Sequence, residues 1–270
     1  VDELVEASGG DPSALLRESE TGHIDLVRAR AGGFAGGFFA VWLPSPIDLE
    51  GLTAQMLQPS YDLPMPAPLE AGYATRVAMA QVAMLHRLAG DGLLRICRTA
   101  ADIETAIDQG VLAAILHFEG AEAIDPDFHA LEVFHAAGLR SLGPVWSRNT
   151  RFAEGVPFRY PSGPDIGGGL TDDGKALVRA CNRLGIMLDV SHLNEAGFWD
   201  VARHSTQPLV ATHSNAHAIC PHSRNLTDRQ LAAIRESDGM DNNIQPIPFV
   251  AQVGKHIGDF FVAANIAGRC

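Results

Sequence analysis

The sequence predicts an α/β protein built on a parallel sheet, and two observations support this class. Short apolar segments alternate along the chain with segments whose apolar residues recur at helical spacing. One of them, Val111–Gly120, is apolar almost without interruption, as expected of a parallel strand that is covered on both faces. With 270 residues, 46% of them apolar, the chain has the usual size of one α/β barrel and enough material for a substantial core. The alternation leaves open whether the sheet is open or closed into a barrel.

Proline, glycine and N-cap residues mark the ends of the individual helices and strands. The first clear strand, Gly36–Pro44, ends at a proline, and a helix over Pro68–Gly90 has proline near its start and glycine at its end. Two later helices are predicted to begin at Thr171 and Thr227, because threonine is a good N-cap residue. The other predicted helices cover 100–110, 127–138 and 194–204, and the other predicted strands cover 93–99, 139–146, 186–192 and 208–214.

The pattern changes after Met240. Pro246 and Pro248 stand where the next strand is expected, and proline cannot donate a hydrogen bond to a central strand. No further parallel strand is therefore predicted in the segment 241–270. We expect one domain over residues 1–270, regular to about residue 240 and followed by a divergent tail.

The composition limits which binding partners and which cellular compartment we expect for this protein. The formal net charge of −12 makes a nucleic-acid surface or an anionic-membrane anchor unexpected. No apolar run is long enough to span a bilayer, and residues 1–20 lack the pattern of a signal peptide. The four cysteines form no C-x-x-C pair, which favours buried free thiols in a reducing compartment. We expect a cytoplasmic location, and a signal peptide removed upstream of residue 1 stays an open alternative.

Three predicted strands end in side chains that bind metals. "AAILHFEG" ends in Glu119, "IMLDVSH" in His192 and "PLVATHS" in His213. The carboxyl ends of parallel strands meet at one face of the sheet, where two imidazoles and a carboxylate can hold a catalytic zinc. From the strands alone, hydrogen-bonded residues at the rim of the sheet remain an equal alternative.

Four long segments resemble the membrane dipeptidase (renal dipeptidase) family of metallopeptidases: "HFEGAEAIDPD", "GLRSLGPVWSRNT", "LDVSHLNEAGFWDV" and "ATHSNAHAICPHSRNLTDRQL". The match runs in order from about Gly22 to Gly239. This resemblance implies a (β/α)8 TIM barrel with two zinc ions that cleaves dipeptides, including those with a C-terminal D-residue. It implies that Glu119 bridges the metals, that His192 and His213 bind the second one, and that Arg224 holds the substrate carboxylate.

The chain departs from the family pattern at three places. The His-x-Asp pair of the family's first strand is not found, and His23 and Asp25 have its spacing but precede the second strand, so we expect them to be structural. Trp146 replaces a histidine that contacts substrate, and its indole N–H is a possible substitute donor. The aspartate of the last strand is not found, and His256 and Asp259 are predicted to lie on a surface helix.

These departures define the predicted function. We expect an incomplete barrel, with its first, seventh and eighth strands missing or altered, that binds one zinc ion or none. The leading hypothesis is a zinc-dependent dipeptidase with dipeptides as substrates. The alternatives are a truncated, non-catalytic or poorly active relative and a different amidohydrolase-type hydrolase. Exposed sheet edges would favour association, so a homodimer is possible.

Smaller signals have structural interpretations. His117 shares a strand face with Glu119 and is predicted to make a hydrogen bond at the rim, and Asp189 is a candidate for orienting a metal ligand from behind. Gly167–Gly169 is predicted to be a flexible turn, and His129 a surface helix residue.

Overall fold

The computed structural model of the protein describes Leu16, Glu18 and the residues 25–45 and 49–241. The helices are α1 (Leu26–Ala31), α2 (Leu49–Met56), α3 (Ala71–Gly90), α4 (Ala100–Asp108), α5 (His129–Ala137), α6 (Asp172–Leu184), α7 (Glu195–His204) and α8 (Asp228–Glu236). The strands are β1 (Gly36–Val41), β2 (Tyr61–Asp62), β3 (Leu94–Ile96), β4 (Leu112–Glu119), β5 (Leu139–Gly143), β6 (Arg159–Tyr160), β7 (Met187–Leu188), β8 (Val210–Ala211) and β9 (Met240–Asp241).

The main sheet is parallel and its strands lie side by side in chain order. β4 pairs with β1 along one edge and with β5 along the other, and β5 pairs with β7. A parallel bridge between Asp189 and Val210 continues the series to β8, which pairs with β9. The predicted α/β class with a parallel sheet is therefore confirmed. Within the described residues β1 and β9 do not pair, so the series β1-β4-β5-β7-β8-β9 is not closed into a barrel.

The predicted strand at 93–99 exists but is not a member of that series. Its core, β3, pairs with Leu112–Ala114 of β4, while β5 pairs with β4 from Leu116 onward. Because β1 already occupies the opposite edge over Ala113–Phe118, β3 and β5 share one edge of β4. β3 is thus a short side branch at the amino end of β4.

The expectation that no further parallel strand would be found after about residue 240 was wrong, because a short strand begins at Met240. Met240 and Asp241 pair in parallel with Val210 and Ala211. The prolines that argued against a strand lie farther along, outside the described residues, and a two-residue strand is too short to leave a recognisable period. The expected loss of the family's first and eighth strands falls on segments outside the described residues.

The centre of the core anchors β4. Leu116 and Phe118 are fully buried, and the ring of Phe118 packs edge-on against Phe134 of α5 with ring centroids 4.7 Å apart. This packing fixes the direction in which the strand emerges from the core. Glu119, its last residue, is therefore presented at the carboxyl end of the sheet.

The helix starts confirm the capping predictions. The side chain of Thr171 accepts a hydrogen bond from the Gly174 N–H at the start of α6. Thr227 and Gln230 form a reciprocal capping box at the start of α8.

The triple glycine, predicted to be a flexible turn, lies against two carboxylates. The N–H of Gly168 donates to Glu154 Oε2 at 3.0 Å, which ties the loop to a carboxylate. A Cβ built on Gly169 would lie 1.9 Å from Asp200 Oδ2. Gly167 has a φ of +79°, which favours glycine, and side chains on Gly167 or Gly169 would have to displace these carboxylates. The sequence does not reveal these contacts.

Two further findings concern the membrane and the cysteines. In the part of the chain that the structure describes, no helix is long and apolar enough to cross a membrane. Cys97 and Cys181 are buried free thiols, as predicted. Cys220 is buried, and Cys270 lies outside the described residues.

Candidate metal centre

Glu119, His192 and His213 come together at the carboxyl end of the sheet. Glu119 is the last residue of β4, and the two histidines follow β7 and β8. Glu119 Oε1 lies 3.1 Å from His192 Nε2 and 3.3 Å from His213 Nε2, and the imidazole centroids are 4.9 Å apart. The sequence placed these three residues at one rim, and the structure brings their ligand atoms within 4.8 Å of one another.

The separations fit a metal ion. Ligand atoms at about 2.0–2.1 Å from a tetrahedral zinc lie about 3.3 Å from one another. The two contacts of Glu119 Oε1, at 3.1 and 3.3 Å, match that spacing. Two imidazole nitrogens and one carboxylate oxygen are also a donor set that zinc prefers, so the residues present fit the metal that the family resemblance implied.

The protonation states suit metal binding as well. Burial, followed by the positive charge of Arg224, lowers the pKa of His192 to about 3, so its imidazole is neutral at pH 7. Burial alone would raise the pKa of Glu119, but its contacts with His192 and His213 hold the pKa well below its usual value. A neutral imidazole and an ionised carboxylate are the forms that bind metals.

His192 has an unusual backbone conformation. Its φ of 69° lies in the left-handed region, which non-glycine residues rarely adopt. The neighbouring chain holds this conformation, because Val156 N–H donates to the His192 carbonyl at 3.2 Å. Ser147 Oγ lies 3.0 Å from His192 Nδ1 and fixes the ring from behind. Strained backbone that is held in this way is common at functional sites.

Arg224 lies beside the three ligand atoms. Its Nη2 donates to the carbonyl of His213 at 3.4 Å, while its Nη1 is buried and has no hydrogen-bond partner among the described residues. Burial lowers the pKa of Arg224 to about 10, against the opposing effect of Glu119 and Asp189, so the guanidinium stays charged at pH 7. A buried guanidinium with an unused N–H is suited to bind an anion.

Trp146 forms the wall next to His192. Its ring centroid lies 5.9 Å from the His192 ring and 5.4 Å from the ring of Trp42, and Phe158 packs against it at 5.6 Å. The side chain is half-buried within this aromatic group. Trp146, which stands where the family resemblance implied a histidine, thus flanks the candidate metal centre.

A buried ion pair below this wall was missed at the sequence level. Arg148 is fully buried and donates from Nε and Nη2 to Glu122 Oε1 at 2.9 and 2.7 Å. Its other contacts are Ser45 Oγ and, at 3.1 Å, the carbonyl of Leu43. The pair joins the carboxyl ends of β1, β4 and β5, and an arginine in a polar loop gives no sequence signal of such burial.

The remaining predicted residues lie elsewhere. Asp25 accepts the Arg28 N–H at 2.7 Å and caps α1, which is a structural role as predicted. His117 is hydrogen-bonded to Ser141 at 2.8 Å, but it is buried in the sheet and not at its rim. His23, His256 and Asp259 lie outside the described residues.

A second group of potential ligands lies on the surface. The ligand atoms of Asp125, Asp127 and His129 are also within 4.8 Å of one another. His129 is on the surface at the start of α5, as predicted, and its side chain is 81% exposed. We call these three residues the exposed cluster.

Comparison with known proteins agrees with the geometry. The family model "Membrane dipeptidase (Peptidase family M19)" matches residues 3–244. A solved metallopeptidase from Rhodobacter sphaeroides, bound to a phosphinate mimic of the dipeptide L-Ala-D-Ala, is 53% identical with a TM-score of 0.84. The match covers 88% of this chain and 69% of that one.

Two curated bacterial relatives carry no assigned activity. An uncharacterised protein of Acinetobacter calcoaceticus is 39% identical over 91% of this chain and 77% of its own length. An uncharacterised protein of Klebsiella pneumoniae is 47% identical over 68% of this chain and 65% of its own length. Because the family model covers most of the chain, the protein belongs to the membrane dipeptidase family, peptidase family M19.

Proposed function

We propose that this protein is a zinc-dependent dipeptidase whose metal is held by Glu119, His192 and His213. The observation that carries this proposal is the convergence of these three ligand atoms within 4.8 Å. A zinc ion held there would polarise the scissile carbonyl and lower the pKa of a water molecule that it binds. Glu119 and the two imidazoles fix the position of that chemistry at the carboxyl end of the sheet.

Arg224 is the proposed anchor for the substrate. Its buried, unpaired Nη1 faces no acceptor among the described residues, and a dipeptide's terminal carboxylate would supply one. The proposal that the substrate is a dipeptide is supported by the Rhodobacter relative, which binds a dipeptide mimic. The arrangement favours a short substrate. Because Arg224 is fixed near the proposed metal site, the scissile bond must lie close to the terminal carboxylate that Arg224 binds.

Trp146 is proposed to contact the substrate on the His192 side. Its indole N–H is a donor without an acceptor role, so it can stabilise negative charge on a carbonyl oxygen but cannot transfer a proton at neutral pH. This predicts a slower reaction than an imidazole would give at the same place.

The test is hydrolysis of a dipeptide panel that includes L-Ala-D-Ala, each with its C-terminal amide as a partner substrate. We expect zinc-dependent cleavage of the acids, poor cleavage of the amides, and loss of cleavage in Glu119→Gln. Failure to cleave any dipeptide at saturating zinc would contradict the proposal.

Two finer expectations remain predictions. Zinc analysis by inductively coupled plasma mass spectrometry should give one ion per chain or fewer. The expected homodimer can be tested by sedimentation equilibrium.

A further inference from the structure

A loop over residues 213–226, which we call the anchor loop, connects the proposed metal ligand His213 to the proposed substrate anchor Arg224. Arg224 Nη2 donates to the carbonyl of His213 at 3.4 Å. Backbone bonds join the two ends of the loop, since the N–H of Leu226 donates to the carbonyl of Asn215 at 2.9 Å. The anchor loop therefore leaves the sheet after His213 and brings Arg224 back beside it.

The side chain of Asn225 holds the anchor loop together from inside. Asn225 is 6% exposed, its Oδ1 accepts the N–H of Asn215 at 3.2 Å, and its Nδ2 donates to the carbonyl of Cys220 at 2.8 Å. This pair of bonds needs a side chain that offers an acceptor and a donor on one short planar group, which is an amide. The amide thus links the residue that follows Arg224 to the start and to the middle of the loop.

The residue that precedes Arg224 is held as well. Ser223 is 1% exposed, its N–H donates to the Arg159 carbonyl at 3.2 Å, and its hydroxyl donates to the carbonyl of Pro157. The guanidinium of Arg224 itself has few contacts, because Nη1 has no hydrogen-bond partner among the described residues. Its position therefore depends on the backbone on either side, which Ser223 and Asn225 fix.

The distance between the metal position and this guanidinium selects the substrate. In a dipeptide, one amide nitrogen and one α-carbon separate the scissile carbonyl from the terminal carboxylate, and a misplacement of about 1 Å can cost about 100-fold in rate. We propose that Asn225 is a positioning residue that fixes Arg224 at the distance from the metal position that matches the carboxylate of a dipeptide. The inference rests on the proposed function, since it assumes that Arg224 binds this carboxylate.

Two substrates that differ by one methylene group test this distance. L-Ala-Gly and L-Ala-β-Ala have the same kind of scissile bond, but the carboxylate of the second lies one methylene group farther from it. The wild type should favour L-Ala-Gly by about 100-fold in kcat/KM. Asn225→Ala releases the anchor, so this ratio should fall to about 10-fold or less. A general loss of stability would lower both rates together and leave the ratio unchanged.

A second measurement detects the anchor without hydrolysis. Zinc-free protein is titrated with L-Ala-Gly while NMR follows the Nε–H signal of Arg224, which is assigned from its loss in Arg224→Lys. Half-saturation should need about tenfold more dipeptide in Asn225→Ala, because a mobile guanidinium must first be ordered. Asn225→Asp keeps the acceptor for Asn215 and loses the donor for Cys220, so it should give intermediate values in both measurements. It also decides the question if Asn225→Ala does not fold.

Gln230→Ala is the matched control for the loss of a buried amide. Gln230 is fully buried, and its Oε1 accepts the N–H of Thr227 at 2.8 Å in the capping box of α8, away from Arg224. This variant should lose stability and keep the wild-type substrate ratio. An unchanged ratio and unchanged dipeptide affinity in the Asn225 variants, or an equal fall of the ratio in Gln230→Ala, would overturn the inference. A wild type that cleaves no dipeptide would contradict the proposed function instead, and the NMR titration would then decide the inference alone.

Discussion

The candidate metal centre and the exposed cluster both combine carboxylates with imidazoles, yet their surroundings differ. In each, three ligand atoms lie within 4.8 Å of one another. The His192 side chain is 4% exposed, whereas the His129 side chain is 81% exposed. His192 and His213 are supported from behind by Ser147 and Thr212, which bond to the ring nitrogens that face away from Glu119.

The carboxylate of Asp125 in the exposed cluster is occupied in another way. Its oxygens accept the N–H groups of His129 and Ala130 at 3.2 and 2.7 Å and so support the first turn of α5. The comparison teaches that proximity of ligand atoms does not by itself define a metal site. In the candidate metal centre a hydroxyl oxygen contacts Nδ1 of each imidazole and orients the ring, and His192 is also buried, whereas the His213 side chain is 38% exposed.

The largest expected effect comes from removing one ligand in each group. His213→Ala should weaken zinc binding by more than about 100-fold, beyond the range for a supporting residue, because a direct ligand is lost. His129→Ala, the matched change in the exposed cluster, should leave zinc affinity unchanged. Isothermal titration calorimetry on both variants measures the contrast, and equal losses would remove the distinction between the two groups.

A second prediction asks whether the metal centre, unlike the exposed cluster, also binds substrate. Arg224→Ala should lower kcat/KM for a dipeptide by about 30-fold or more, which corresponds to about 2 kcal/mol, because the carboxylate loses a buried charged partner. Arg224→Lys should recover only part of this loss, since an ammonium cannot form the two parallel bonds of a guanidinium.

Steady-state kinetics with a dipeptide and its C-terminal amide provide the measurement for Arg224. The preference for the acid over the amide should disappear in Arg224→Ala. Arg151→Ala is the control, because Arg151 is a half-exposed arginine paired with Asp173. If Arg224→Ala still prefers the dipeptide acid to its amide, the substrate carboxylate binds to another residue.

A smaller effect is expected from Asp125, and on stability instead of metal binding. Asp125→Ala removes the acceptor for two N–H groups in the first turn of α5 and should lower the free energy of unfolding by about 1 kcal/mol. Zinc affinity should stay as in the wild type. Urea unfolding and zinc titration of Asp125→Ala test both statements. Weaker zinc binding in Asp125→Ala would contradict the purely structural role that we expect for Asp125.

The smallest expected effect is the pH dependence of the stabilisation that Asp125 provides. Burial raises the pKa of Asp125, but the bonds from Ala130 and His129 outweigh it, so the pKa in the folded protein lies below the value of 3.8 expected when unfolded. The stabilisation is therefore complete above pH 3.8 and lost as the pH falls through the folded pKa. Urea unfolding of the wild type and Asp125→Asn should show a stability difference that shrinks in this acidic range; a constant difference would contradict it.

The sequence predicted the location of the residues that end or closely follow a strand. Glu119 and His213 directly end or closely follow buried strands, so the general rule for parallel sheets brings them together. Arg224 was found only through the family resemblance, because nothing in its local sequence indicates that the chain after β8 turns back toward the ligands.

The sequence named Asp189 as a candidate for orienting a metal ligand, but it did not predict the local backbone geometry that places Asp189 there. Asp189 and His192 are three residues apart, which in a regular strand would place them on opposite faces. The strand ends at Leu188 and His192 is left-handed, so the alternation does not apply and Asp189 lies behind the ligands. The burial of Arg148 and the close approach of Asp200 to Gly169 likewise depend on contacts between distant segments.

The most direct test of the central claim is an anomalous difference map, collected at the zinc absorption edge from crystals of the protein grown with zinc. The account predicts a peak bonded to Glu119 Oε1 and to Nε2 of His192 and His213, and none at the exposed cluster. A peak at Asp125, Asp127 and His129 with none between Glu119 and the two histidines would contradict it.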